Sequence, residues 1–396
     1  MESLMHSEQL FNLLFGKVPD PDDVKRWKSQ GWRFSSEFPF VIDQQQGGPC
    51  GILAPVQAFL LKKMIFDDND NLETVEKLRS VDPSRIKDSL QSVLLLLLKR
   101  AVPGNNAPVN LVKINDHGKF VNESLIDLEY FTALDFTASL VSSRGIHQTK
   151  QDMDDPETPL IGTFGHCSQE LLNLVLFGKA SSNVFDGEQT LGDNVMTLRG
   201  VPLESSIEVG LLSELEVLRY VTVGSKLKNP NFPLWIIGSP SHYTLLFSFD
   251  ISCSSRSPSE TRKDKIRSKF NEFSMDDGIA LAENLPKIVS ALGFPGSVLS
   301  DDVSKKLIAE GIVIYDDFLK WALSYQSDSD DGANKKISES ETDFFFINGQ
   351  TPVQVVHVKA STAPCVKTNS SIAGSLECIM QTRWPGVHLS VSPLSV

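Results

Sequence analysis

Residues 52–66 are apolar on almost every side: Leu53, Val56, Phe59, Leu60 and Met64 fall without a polar stripe between them, and Lys62 and Lys63 come only near the end. A helix with that pattern has to be buried all round, and cations in its last turn suit the negative end of its dipole. Pro55 lies early in the run, where a missing N–H costs least. Ahead of this helix stands Gln44-Gln45-Gln46-Gly47-Gly48-Pro49-Cys50-Gly51. The pattern elsewhere predicts helices over 5–16 (ending on Gly16), 22–29, 72–80, 83–100, 168–177 (ending on Gly178) and 209–220. Strands are predicted over 109–114, 136–141, 232–237, 242–249, 344–347 and 353–358, and a polar, mobile loop over 142–159.

Two polar stretches, 251–265 (rich in Ser, Arg and Lys) and 326–341 (rich in Ser and Asp), read as disordered linkers. They divide the chain into a first part, 1–250, an inserted helical segment, 266–325, and a last part, 342–396. The insert resembles a degenerate pair of EF-hands. Its turn Ser274-Met275-Asp276-Asp277-Gly278 has the glycine, but Phe273 stands where the first carboxylate ligand belongs, and the Gly311 loop has almost no ligands. Calcium needs several oxygens at set spacing, so no metal is expected.

If 344–347 pairs antiparallel with the strand after His242, the insert is one long hairpin loop. Pairing Phe249 with Asp343 then sets His242 opposite Gln350, with Asn348 nearby. Asp250 lies on the His242 face but eight residues along, too far at about 3.3 Å per residue for a hydrogen bond.

Composition narrows the function classes. The 396 residues are 41% hydrophobic, ordinary for a globular protein, and the net charge of −13 argues against nucleic acid as a partner. Cysteines 50, 167, 253, 365 and 378 form no CxxC pair, which suggests neither zinc nor a disulfide framework. A reducing compartment, cytoplasm or nucleus, fits this usage. The first residues lack the basic start of a signal peptide, and 93–98, the longest apolar run, is too short to cross a bilayer.

The glycine turn delivers Cys50 to the positive end of the core helix, a setting that lowers a thiol pKa and makes a nucleophile. On local grounds it is equally a small buried residue at a helix start. His242 opens a strand next to a loop, where it can reach a cleft, and His166, beside Cys167, is its rival. The loop Ser181-Ser182-Asn183-Val184-Phe185-Asp186-Gly187 is either a groove wall or a tight turn packed on the core.

Taken together, several of these blocks resemble the MINDY deubiquitinases, in particular the branch with an EF-hand-like insertion. They are Gln44 through Gly51, Ala54-Pro55-Val56-Gln57-Ala58-Phe59-Leu60-Leu61-Lys62-Lys63, Gly165-His166-Cys167-Ser168-Gln169 through Gly187, Gly238-Ser239-Pro240-Ser241-His242-Tyr243-Thr244 and Gln381-Thr382-Arg383-Trp384-Pro385. The resemblance implies an α+β fold, with a papain-like cysteine peptidase core and the small helical insert. It implies an enzyme that cleaves ubiquitin chains, preferably lysine-48-linked, with ubiquitin and polyubiquitin as partners; no cofactor and no membrane are expected, and a monomer is the expected state. By position Cys50 is then the nucleophile, His242 the general base and acid, and Gln44 an oxyanion donor. The strand register adds Asn348 as a candidate third member. Asn183 and Asp186 are candidates for holding the arginines of the ubiquitin tail.

Overall fold

Leu234, Trp235, Ile236 and Ile237 are apolar at consecutive positions, the pattern of a strand covered on both faces. The computed structural model describes residues 2–68, 71–104, 108–115, 117–191, 196–254, 258–276, 278–326, 341–362 and 371–394. In it this run is β2 (Leu234–Gly238) of a six-stranded sheet. The other strands are β1 (Gly210–Ser213), β3 (Tyr243–Phe247), β4 (Thr342–Asn348), β5 (Gln354–Ser361) and β6 (His388–Pro393), in the order β6-β5-β4-β3-β2-β1. Only β1 and β2 are parallel.

Side-chain alternation sorts this sheet into two cores. Leu234, Ile236, Leu245, Phe247, Ile347 and Val355 enter the larger one. Trp235, Ile237, Leu246, Phe344, Phe346 and Val358 enter the smaller one, with Leu376 and Ile379 of the helix Ser371–Gln381 and with Trp384. Phe345 pairs with Phe247 and Ile347 with Leu245. This is the register expected from the sequence.

The longer helices of the larger core are α1 (Glu2–Phe15), α2 (Pro21–Ser29), α3 (Cys50–Lys62), α4 (Pro83–Ala101), α5 (Ala133–Arg144) and α6 (Gln169–Phe177). α3 is the buried central helix, and a π-helical turn, Lys63–Asp67, extends it. Its one buried amide has a purpose. Gln57 Nε2 donates to Phe40 O (2.9 Å), and its Oε1 accepts from the Ile42 N–H (2.6 Å). The segment that leads into Gln44 is thereby pinned to α3.

Four expectations are corrected. Residues 136–141 lie in α5, which is buried along its whole length and so shows no helical stripe, although Thr132 and Asp135 form a capping box at its start. The stretch 142–159 is held, since Arg144 donates twice to Asp152 (2.7 and 2.7 Å) within and after that helix. Residues 209–220 divide into β1 and a short helix, Glu214–Val217, because the leucines at 211, 212, 215 and 218 suit either period. Finally, 251–265 is no linker throughout: a 3₁₀ turn, Ile251–Ser254, precedes a helix, Pro258–Asn271, anchored by buried Ile266 and Phe270 beneath a charged surface. Of the acidic stretch 326–341, residues 327–340 lie outside the described residues.

The chain divides into two units, Met1–Ser254 with Glu339–Val396, and Ser255–Ser338. The second has the helices Pro258–Asn271, Leu285–Ala291, Asp301–Leu307 and Tyr315–Gln326. Two of its short strands pair antiparallel through Ala280 and Val313, over a core that includes Phe270, Ile288 and Phe318. Among the described residues no helix is long and apolar enough to cross a membrane.

Candidate active site

Gly47-Gly48-Pro49 turns the chain into α3, and Pro49 O accepts from the N–H groups of Ile52 and Leu53 (both 2.9 Å). Cys50 is the first helical residue, and it is only 3% exposed. Its thiol donates to Gly48 O (3.9 Å). The backbone N–H groups of Tyr243, Gly51 and Cys50 itself face the sulfur and favour a thiolate, but burial outweighs them and pushes the thiol up. The expected lowering is therefore corrected, since the helix end acts on a sulfur that has lost its water. Cys167 packs so tightly here that a Cβ on Gly51 would come 2.6 Å from Cys167 Cβ, so only glycine fits. Burial also pushes the Cys167 thiol well up, with the nearby Cys50 adding to it. Cys167 is thus a neutral packing group.

A raised pKa leaves little thiolate at neutral pH, and more forms as pH rises. Alkylation of Cys50 by iodoacetamide, followed by mass spectrometry, should be slow at neutral pH and still be accelerating above about pH 8.5, the ordinary thiol value. A plateau already reached at neutral pH would contradict this.

His242 immediately precedes β3, and Asn348 ends the adjacent β4, so both side chains come to one end of the sheet. His242 Nε2 lies 2.9 Å from Asn348 Oδ1. That oxygen also accepts from the Gln350 N–H (3.1 Å), which fixes the orientation of the amide. Facing an acceptor, Nε2 carries the proton and Nδ1 is the basic nitrogen. The Tyr243 N–H facing the Cys50 sulfur brings the start of the Cys50 helix to the same sheet end. The Asn348-Gly349 turn needs its glycine for a separate reason: a Cβ on Gly349 would come 2.8 Å from Ile42 O. Asp250 lies past the other end of β3, where its carboxylate accepts from the Ser252 N–H (2.9 Å).

Of the three consecutive glutamines only Gln44 is buried, at 3% exposure. Its N–H donates to Gly349 O (2.8 Å), and its own carbonyl accepts from the Thr351 N–H (2.9 Å), so it is sewn to the turn after Asn348. Its side-chain Nε2 donates to Gln46 O (2.7 Å), inside the loop that ends on Cys50. Cys50, His242, Asn348 and Gln44 are thus held by interlocking backbone and side-chain bonds. A thiol brought to the sheet end that also carries an oriented imidazole and amide donors is equipped for acyl transfer.

Two supporting residues escaped the sequence reading. Gln30 accepts from the Gln46 N–H (3.2 Å) and donates to Gly47 O (3.3 Å), clamping the loop before the cysteine. Trp27 Nε1 donates to Gly165 O (2.8 Å) and lies against Gly48. Their only signal is a shared position at the end of α2. Asn183 and Asp186 are placed differently from expectation. Asn183 Nδ2 donates to Asp154 Oδ2 (2.6 Å) and Arg199 O (3.0 Å). The Asp186 carboxylate accepts from the Lys226 N–H (3.2 and 3.3 Å), and burial pushes its carboxyl up. Both side chains tie their loop to neighbouring backbone, the tight-turn alternative, and neither offers a free acid to an arginine.

The profile of "Deubiquitinating enzyme MINDY-3/4, conserved domain" matches residues 12–134 and 113–264, which together include Gln44, Cys50 and His242. The chain belongs to the MINDY-3/4 family. Xenopus tropicalis ubiquitin carboxyl-terminal hydrolase MINDY-3 is 30% identical, over 92% of each chain. Human MINDY-3 is 27% identical over 97% of each. Mouse probable ubiquitin carboxyl-terminal hydrolase MINDY-4 is 33% identical over 59% of this chain and 36% of its own length. No solved structure matches. The MINDY profile thus spans both sides of the site, the helix that begins on Cys50 and the hairpin that carries His242.

Proposed function

We propose that this MINDY-family chain is a cysteine-type deubiquitinase that hydrolyses the isopeptide bond at the ubiquitin C-terminus. The observation that carries the reading is the His242–Asn348 pair at the sheet end that meets the start of the Cys50 helix. The order Cys, His, Asn is that of a papain-like peptidase.

Ubiquitin ends in glycines, so its tail can enter a narrow cleft. His242 Nδ1 takes the proton of Cys50, and the sulfur attacks the carbonyl carbon. The developing oxyanion is received by the Cys50 N–H and by the Gln44 amide once it leaves Gln46 O; each such donor stabilises the transition state by about 3 kcal/mol. His242 then gives its proton to the departing lysine amine and afterwards activates the water that frees the acyl-enzyme. Asn348 holds the ring through both steps.

Within this reading the preferred substrate is lysine-48-linked polyubiquitin. The unit 255–338 serves as an EF-hand-like packing or docking module that needs no calcium. Di- and tetraubiquitin of each lysine linkage, incubated with the enzyme and resolved on gels, test the substrate. Lysine-48 chains are expected to be cleaved at least about tenfold faster than the others, a discrimination of about 1.4 kcal/mol. Equal rates for all linkages would remove the preference, and intact chains throughout would remove the activity.

A further inference from the structure

The segment between Ile161 and Cys167 is a tight hairpin seated on the nucleophile's loop. Ile161 and Cys167 form an antiparallel bridge at its base, and the Gly162 N–H donates to His166 O (2.9 Å). Gly165 O lies 3.7 Å from where a Cβ on Gly48 would sit, and Cys167 packs on Gly51. Two side chains of α2 fix the tip, since Arg26 donates to Phe164 O (3.0 Å) and Trp27 to Gly165 O (2.8 Å).

At this tip stands Phe164, with φ +63° and 72% of its surface exposed. Both properties are unfavourable. A non-glycine aromatic rarely occupies the left-handed region, where Gly or Asn is at ease, and a large apolar ring gains by leaving water. Among the described residues its only ring neighbour is His166, edge-on at 6.5 Å. Local folding therefore favours a small polar residue here, and strain kept beside a reactive group points to use. Three residues after Cys167, Glu170 stands in the first turn of α6, half-buried, with no hydrogen bond or ion pair among the described residues. An exposed ring at the hairpin tip and an unpaired carboxylate in the first turn of α6 suit a peptide that is apolar and basic. The ubiquitin tail, with Leu and Arg ahead of its two glycines, is such a peptide.

We infer that Phe164 is a specificity-determining contact that packs on the apolar side chains of the ubiquitin tail as the tail enters the Cys50 cleft. The inference rests on the deubiquitinase reading and adds a residue to it. The test uses ubiquitin carrying a C-terminal propargylamide, whose reaction with the full-length enzyme separates the half-saturating concentration from the maximal rate.

Phe164→Ala and Phe164→Asn are expected to raise the half-saturating concentration about tenfold or more, consistent with losing a buried apolar contact, with the maximal rate within about twofold. Phe164→Leu should recover most of the loss. The asparagine variant separates contact from strain, because Asn accepts a positive φ and leaves the hairpin at least as stable. Alkylation of Cys50 by iodoacetamide should be unchanged in all three. An unchanged half-saturating concentration in both Phe164→Ala and Phe164→Asn, with the wild type reacting normally, overturns the contact and spares the enzyme reading. Failure of the wild type to react overturns both.

Discussion

Cys50→Ala is expected to reduce ubiquitin-chain hydrolysis to the detection limit. In a serine protease, loss of the nucleophile costs about a millionfold in turnover. The site predicts a small effect on folding, because a small residue replaces a small one that is 3% exposed. Loss of one buried group the size of a methyl costs about 1 kcal/mol. Binding of uncleavable chains should stay within a few-fold, since the sulfur acts on the bond and not on the ubiquitin surface. Residual hydrolysis above trace contamination would place the nucleophile elsewhere. Cys167, packed on Gly51, is the next thiol to test.

Asn348→Ala is expected to lower turnover by about 10- to 1,000-fold, with the melting temperature within a few degrees of wild type. The imidazole would lose the acceptor at 2.9 Å that keeps the proton on Nε2, and the wrong tautomer cannot take a proton from Cys50. Mis-set tautomers in catalytic triads cost up to about 10,000-fold. Asn348→Asp keeps an acceptor for both His242 and the Gln350 N–H and should recover part of the rate. A purely structural turn would show the opposite: a lower melting temperature with near-normal turnover of the folded fraction, and no gain from Asp over Ala. Turnover of a lysine-48-linked chain and thermal unfolding, measured on the same preparations, separate the two.

Local signals carried much of the fold. Gly16 and Gly178 end α1 and α6, and Asp82-Pro83 starts α4, because caps and fixed φ angles act over a few residues. The register of β3 on β4 was also legible, since alternating side chains admit few alignments, and it brought Asn348 to His242 across 106 positions. What was hidden depends on distant chain. α5 has no polar face because every side of it is covered, so its period vanished. Asp186 looked like a free acid, yet its partner is the N–H of Lys226, 40 residues on. The helix end promised Cys50 a lowered pKa, but its burial comes from packing that the local sequence does not show. Gln30 clamps the loop before Cys50 through ordinary hydrogen bonds that no motif announces.

In the proposed reaction Cys50 is the nucleophile that receives the ubiquitin C-terminus. The most direct test is incubation with ubiquitin bearing a C-terminal electrophile, followed by peptide mass spectrometry of the adduct. The expected result is one covalent adduct on Cys50, absent from Cys50→Ala. No adduct, or an adduct on Cys167 that persists in Cys50→Ala, would contradict it.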